Sequence, residues 1–119
     1  SVLHNRQQLE IAVNVVNRGA VRNLPDWMIV ETPGVVSRAG VQPLAVGDLP
    51  AGCAALLQQR SAIASLTVEA AVHGDRQAAL QALLLDPVVN SYAAAAALLD
   101  ELLAAQAPYL PTFARPVPA

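Results

Sequence analysis

Apolar positions along this chain change their spacing near residue 50. Before it they come in short runs of strand length. Gln8–Val16 is rich in Ile and Val, whose branched side chains suit a pleated surface. Trp27–Thr32 alternates, with Trp27, Ile29 and Glu31 toward one face and Met28, Val30 and Thr32 toward the other. Pro33-Gly34 predicts a break, Val35–Arg38 a short extension, and Val41–Val46 a third strand bounded by Gly47-Asp48-Leu49-Pro50. Beyond residue 50 the spacing is helical. Leu56, Ile63, Leu66 and Ala70 fall on one stripe, and Gln58, Ser65 and Glu69 on another face. Gly74 predicts a helix stop, and Asp75 an N-cap for the next helix. Ala78–Leu85 is strongly apolar and ends at Asp86-Pro87. Asn90 or Ser91 can cap a third helix running to about Ala107. Pro108, Pro111, Pro116 and Pro118 predict an extended tail. Strands come first and helices after, without alternation. That order predicts an α+β fold of about three strands followed by about three helices. Residues 8–50 are the β-rich part, 51–107 the helical part and 108–119 the tail.

Composition narrows the function. A chain of 119 residues is one domain by length and can bury about two-thirds of its unfolded surface. A net charge of -2 gives no basic footprint, so nucleic acid is excluded as a partner. The seven basic residues are all arginine. Cys53 is the only cysteine, which excludes an internal disulfide and a paired-cysteine metal motif. No apolar run reaches membrane-spanning length and no signal-peptide pattern is present, so a cytoplasmic protein without a membrane partner is expected.

The polar connection between the first two strands holds the candidate chemistry. Asn14, Asn17, Arg18, Arg22 and Asn23, with Gly19 and Pro25, crowd between two apolar runs. Arginine offers a planar fork to a carboxylate or phosphate, and asparagine offers donor and acceptor groups to sugar hydroxyls. Asn17, Arg18 and Asn23 are thus candidate substrate contacts. The other reading is a polar turn whose side chains satisfy its own backbone. Elsewhere the residues suggest structure. His73 suits a helix C-terminus, and Asp75 and Asp86 suit caps. Cys53 lacks a neighbouring base, and His4 stands alone near the N-terminus. Glu10, Glu31, Asp48 and Glu69 form no pair able to flank a scissile bond. No Gly-rich dinucleotide fingerprint or metal-ligand spacing is present, so no catalytic, cofactor-binding or metal residue is expected in this chain.

Four segments together resemble a known family. NVVNRGAVRNLPDWMIVETP, LAVGDLP, HGDRQAALQALLLDP and LLDELLAAQAPYLPTF resemble the C-terminal part of family 4 glycoside hydrolases, over roughly residues 8–113. The resemblance implies NAD and Mn²⁺ in the full-length enzyme, bound by a Rossmann domain and a metal site upstream of this segment. It also implies oxidation of a sugar hydroxyl by NAD⁺ followed by elimination, an exception to two-carboxylate hydrolysis. In that family the Asn-x-Gly-x-x-x-Asn-Leu-Pro connection faces the cleft, which places Asn17, Arg18 and Asn23 near the sugar. The family's metal-binding Cys-Asn pair is not matched at Cys53. The chain is then expected to be a C-terminal fragment, inert alone, whose partners are the N-terminal domain, a sugar or sugar-phosphate glycoside, and further copies of itself. Two alternatives are a lactate/malate dehydrogenase C-terminal domain and a non-enzymatic helical module joined through Leu98, Leu99, Leu102 and Leu103.

Overall fold

A computed structural model describes residues 7–114. Three antiparallel strands, β1 (Gln8–Val16), β2 (Ile29–Ser37) and β3 (Gly40–Pro43), pair in the order β1-β2-β3. Three helices follow: α1 (Ala51–His73), α2 (Arg76–Leu85) and α3 (Tyr92–Ala105). The α+β expectation and the order of elements are as the sequence pattern predicts. The chain divides into two compact units, one up to Gln58 and one from Gln59.

Pro33-Gly34 does not break β2, contrary to expectation. The register of β1 against β2 slips between Glu10 and Val13, opposite this dipeptide. An irregularity there absorbs the donor that proline lacks, so a proline fits even in the central strand. Gly34 then lets the strands close up, since a Cβ on it would sit 2.6 Å from Val13 Cγ2. β3 is shorter than Val41–Val46. After Pro43 the chain leaves the sheet, and Val46 N–H bonds the Ala20 carbonyl at 2.8 Å. The first unit has a small core of Val21, Leu24, Met28, Val30 and Ala54, with Val15 and Leu49 half-buried against it. Much apolar surface stays outside it: Ile11 is 87% exposed, Trp27 62% and Ile29 61%.

The second unit packs through small residues. Ala70, Ala78, Ala82 and Ala95 are buried with Leu99. Asp75 caps α2 by accepting from Gln77 N–H and Ala78 N–H, and Ser91 caps α3 by accepting from Ala94 N–H. Gly74 ends α1 with φ at +70°, a conformation that costs glycine little. The described part of the tail is not extended: Ala107–Tyr109 and Pro111–Ala114 form 3₁₀ turns. A proline in the first turn of such a helix forfeits no bond that the turn would make. Helix α1 is apolar on more than one side, and Leu56, Leu57, Val68 and Val72 on it remain exposed. None of the helices among the described residues is long and apolar enough to cross a membrane.

Candidate functional site

The connection from Asn17 to Asp26 is built around one buried amide. Asn17 is fully buried. Its Nδ2 donates to the carbonyl oxygens of Val21 and Leu24 at 2.9 Å each and of Pro25 at 3.2 Å. Its Oδ1 accepts from Val21 N–H at 2.7 Å. The peptide groups of the connection turn inward, away from solvent, and one asparagine satisfies them. Asn23 does similar work against a second segment. Its Nδ2 donates to the Leu49 carbonyl at 2.8 Å and its Oδ1 accepts from Leu49 N–H at 2.9 Å. The two-way bond fixes residues 44–49 beside the turn, helped by Arg22 N–H bonding the Gly47 carbonyl at 3.0 Å. The Arg22 guanidinium reaches Asp48 through two bonds of 3.2 and 3.0 Å. Both partners are more than half exposed, so this pair adds at most about 1 kcal/mol.

Arg18 is different. Asn17–Ala20 is a tight turn closed by Ala20 N–H on the Asn17 carbonyl at 2.8 Å. Arg18 has φ +42° and Gly19 φ +86°, the signature of a type I′ turn. Asn, Asp or Gly suits the first central position. Any residue with an ordinary Cβ pays about 1–2 kcal/mol there. The Arg18 backbone is held by its N–H on the Asp26 carbonyl at 3.1 Å. The residue itself is exposed, and among the described residues its guanidinium forms no ion pair. It lines an open depression of about 440 Å³ together with Val16, Gly19, Ala20, Val41 and Pro43. Among the described residues Arg18 is the only charged one lining that depression.

Of the three candidate substrate contacts, then, Asn17 and Asn23 have their amides engaged in holding the connection, and Arg18, without an ion pair among the described residues, lines a concave surface. Within the connection, the left-handed backbone of Arg18 is a feature the sequence pattern did not predict. Arg-Gly at residues 18–19, where Asn-Gly is the usual hairpin pair, was the available signal.

The remaining candidates fall into structural places. His73 ends α1, with Nε2 3.7 Å from Glu69 Oε1 one turn earlier. Cys53 is free and exposed in the first turn of α1. Asp86 closes α2 and pairs with Arg60 at 3.6 Å. His4 lies outside the described residues. Among the described residues no group of His, Cys, Asp or Glu has the makings of a metal site, so these side chains do not fit a Mn²⁺ ligand set. The second unit contains an apolar groove of about 310 Å³ lined by Ile63, Ala70, Ala82, Leu99, Leu103 and Phe113, among others.

Known proteins resemble this chain over most of its length. Residues 1–89 match the Family 4 glycosyl hydrolase C-terminal domain. A protein of Bacillus subtilis (strain 168) described as "Probable 6-phospho-beta-glucosidase" is 40% identical over 95% of this chain and 25% of its own length. An alpha-glucosidase of Erwinia rhapontici is 42% identical over 85% of this chain and 22% of its own length. Among solved structures, a 6-phospho-alpha-glucosidase from gut microorganisms, in complex with NAD and glucose-6-phosphate, superposes with a TM-score of 0.85 at 35% identity. That match covers 92% of this chain and 25% of the other. The 6-phospho-beta glucosidase from Thermotoga maritima, with manganese, NAD+ and glucose-6-phosphate, superposes at 0.81 with 28% identity, over 92% of this chain and 28% of the other. The chain therefore spans about a quarter of the length of the proteins it matches, and these matches are glycosidases rather than dehydrogenases.

Proposed function

The chain belongs to the family 4 glycosyl hydrolases, as their C-terminal domain, and from that premise we propose that it forms one wall of the sugar site in a longer, NAD- and Mn²⁺-dependent glycosidase. Bound to the rest of such an enzyme, NAD would supply the oxidation and re-reduction of the sugar, and Mn²⁺ would polarise the oxygen being oxidised. Among the described residues no group of His, Cys, Asp or Glu could hold the metal, and the part we assign to this chain is binding and positioning. The observation that supports the site reading is Arg18: a residue with no ion pair among the described residues, on a hydrogen-bonded turn, lining a concave surface, in a domain whose relatives are named as glycosidases. Asn17 and Asn23 serve the site indirectly, by fixing the turn that carries Arg18.

The exposed apolar residues have a place in this reading. Ile11, Trp27 and Ile29 in the first unit, and Val68 and Val72 in the second, are the kind of surface that a larger protein covers. They would pack against the remainder of the enzyme or against a second copy. The test uses two samples. The isolated chain should bind no NAD⁺ by calorimetry and hydrolyse no nitrophenyl glycoside, with or without Mn²⁺. The longer protein that carries it should hydrolyse a glycoside only when NAD⁺ and Mn²⁺ are both present. Micromolar NAD⁺ binding by the isolated chain, or cofactor-free hydrolysis by the longer protein, would overturn the proposal.

A further inference from the structure

We propose that Val41, Pro43 and Ala45 form a second, apolar wall of the sugar site, and that Asn23 is the positioning residue that holds this wall. The inference rests on the reading that the depression beside the turn borders the sugar, and it adds the part of that site that lies outside the turn. Two stretches of chain line the depression. Val16, Gly19 and Ala20 belong to the end of β1 and the connection. Val41, Pro43 and Ala45 belong to β3 and the segment that leaves it. Binding sites for small molecules commonly combine a few polar groups with apolar walls, and this second stretch offers only apolar side chains.

What holds the second stretch is a run of ties to the first. Leu44 N–H bonds the Pro33 carbonyl at 2.8 Å, which keeps the segment on β2 as it leaves the sheet. Past Ala45, Val46 N–H bonds the Ala20 carbonyl at 2.8 Å and the Gly47 carbonyl accepts from Arg22 N–H at 3.0 Å. The Asn23 amide closes the run, bonding both the N–H and the carbonyl of Leu49. Among the described residues the Leu49 backbone has no other partner. Gln58 Nε2 donates to the Asn23 carbonyl at 3.2 Å, so the first turns of α1 steady the residue that holds the wall. The backbone ties survive any side-chain change, and the exposed Arg22–Asp48 pair adds little. Asn23 is therefore the side chain through which the wall's position can be altered selectively. Apolar contact of this kind is made equally in the ground and transition states, so it governs KM rather than kcat.

The test uses the longer protein that contains this chain, assayed with its cofactors, and reads KM, kcat and melting temperature on one glycoside. Ala45 is exposed, so Ala45→Trp crowds the depression without disturbing the fold. It should raise KM by about tenfold or more, with kcat and melting temperature near wild type. Asn23→Ala should lower the melting temperature and, assayed well below it, raise KM by a similar factor with kcat near wild type. If Asn23→Ala does not fold, Asn23→Asp takes its place, since it keeps the bond from Leu49 N–H; a smaller rise in KM is then expected. A residue that served stability alone would lower the melting temperature and leave KM unchanged. Wild-type KM in either the Ala45 or the Asn23 variant overturns the inference, as does a loss confined to kcat. Arg18→Ala, measured alongside, separates the inference from the reading beneath it. If Arg18→Ala lowers kcat/KM and Ala45→Trp does not, the second wall falls while the placement of the turn at the sugar site stands. If neither changes the kinetics, both fall.

Discussion

Replacing Asn17 with alanine should unfold the connection that carries Arg18. Four hydrogen bonds leave with the amide. Their loss is not uniform. The Val21 carbonyl also accepts from Leu24 N–H at 3.3 Å and the Pro25 carbonyl from Met28 N–H at 3.1 Å, so both keep a partner. The Leu24 carbonyl and Val21 N–H have no second partner among the described residues. Each buried group left unsatisfied costs about 1–3 kcal/mol, so Asn17→Ala should cost about 2–6 kcal/mol. That is a large part of the total stability of a small domain. Asn17→Asp keeps the shape but points a carboxylate at three carbonyl oxygens. Its pKa in the folded state should lie above the unfolded value of about 3.9. The sign follows from linkage. The penalty is full above the folded pKa, shrinks as pH falls through it, and is least below about pH 3.9, where the neutral acid donates one of the lost bonds. Urea titration followed by far-ultraviolet circular dichroism, at pH 7 and at pH 4, measures both variants. An Asn17→Ala variant within 0.5 kcal/mol of wild type, on the order of a surface substitution, would refute the reasoning, as would an aspartate variant that is less stable relative to wild type at pH 4 than at pH 7.

Two further substitutions probe the packing. Thr32 is buried on β2, and its hydroxyl has no hydrogen-bond partner among the described residues; Thr32→Val, close in shape, should raise stability by about 1 kcal/mol or more in the same titration. Gly74 has a positive φ, and a Cβ there would collide with the Thr112 carbonyl oxygen; Gly74→Ala should lower the melting temperature by several degrees, at about 4–8 °C per kcal/mol for a domain this size.

The elements were legible because their signals were local. Asp75 and Ser91 cap helices where the sequence places caps, and Gly74 stops α1 where a glycine is expected. Pro33-Gly34 misled because its accommodation lies on another strand, in the slip of β1 between Glu10 and Val13. The tail misled because prolines are equally compatible with extended chain and with the start of a 3₁₀ turn. In the candidate site the crowd of polar residues was visible, but their division of labour was not. Whether an asparagine faces its own backbone or the solvent depends on which carbonyls the fold brings to it. For Asn17 those are four, seven and eight residues away, and for Asn23 the partner is Leu49, 26 residues on.

The proposal that asparagines hold a turn from which Arg18 faces the sugar is tested most directly by Arg18→Ala in the longer enzyme. Alanine pays the same left-handed cost as arginine, and the exposed side chain has no partner to lose among the described residues, so the melting temperature should stay near wild type. Removing one charge-assisted hydrogen bond to substrate, about 1.5–3 kcal/mol, should lower kcat/KM on the preferred glycoside by about ten- to a hundredfold. The measurement is kcat/KM on that glycoside, with the melting temperature taken on the same sample. A large kinetic loss at unchanged stability is the predicted result. Wild-type kinetics with a lowered melting temperature would contradict it and make Arg18 a residue of the turn alone.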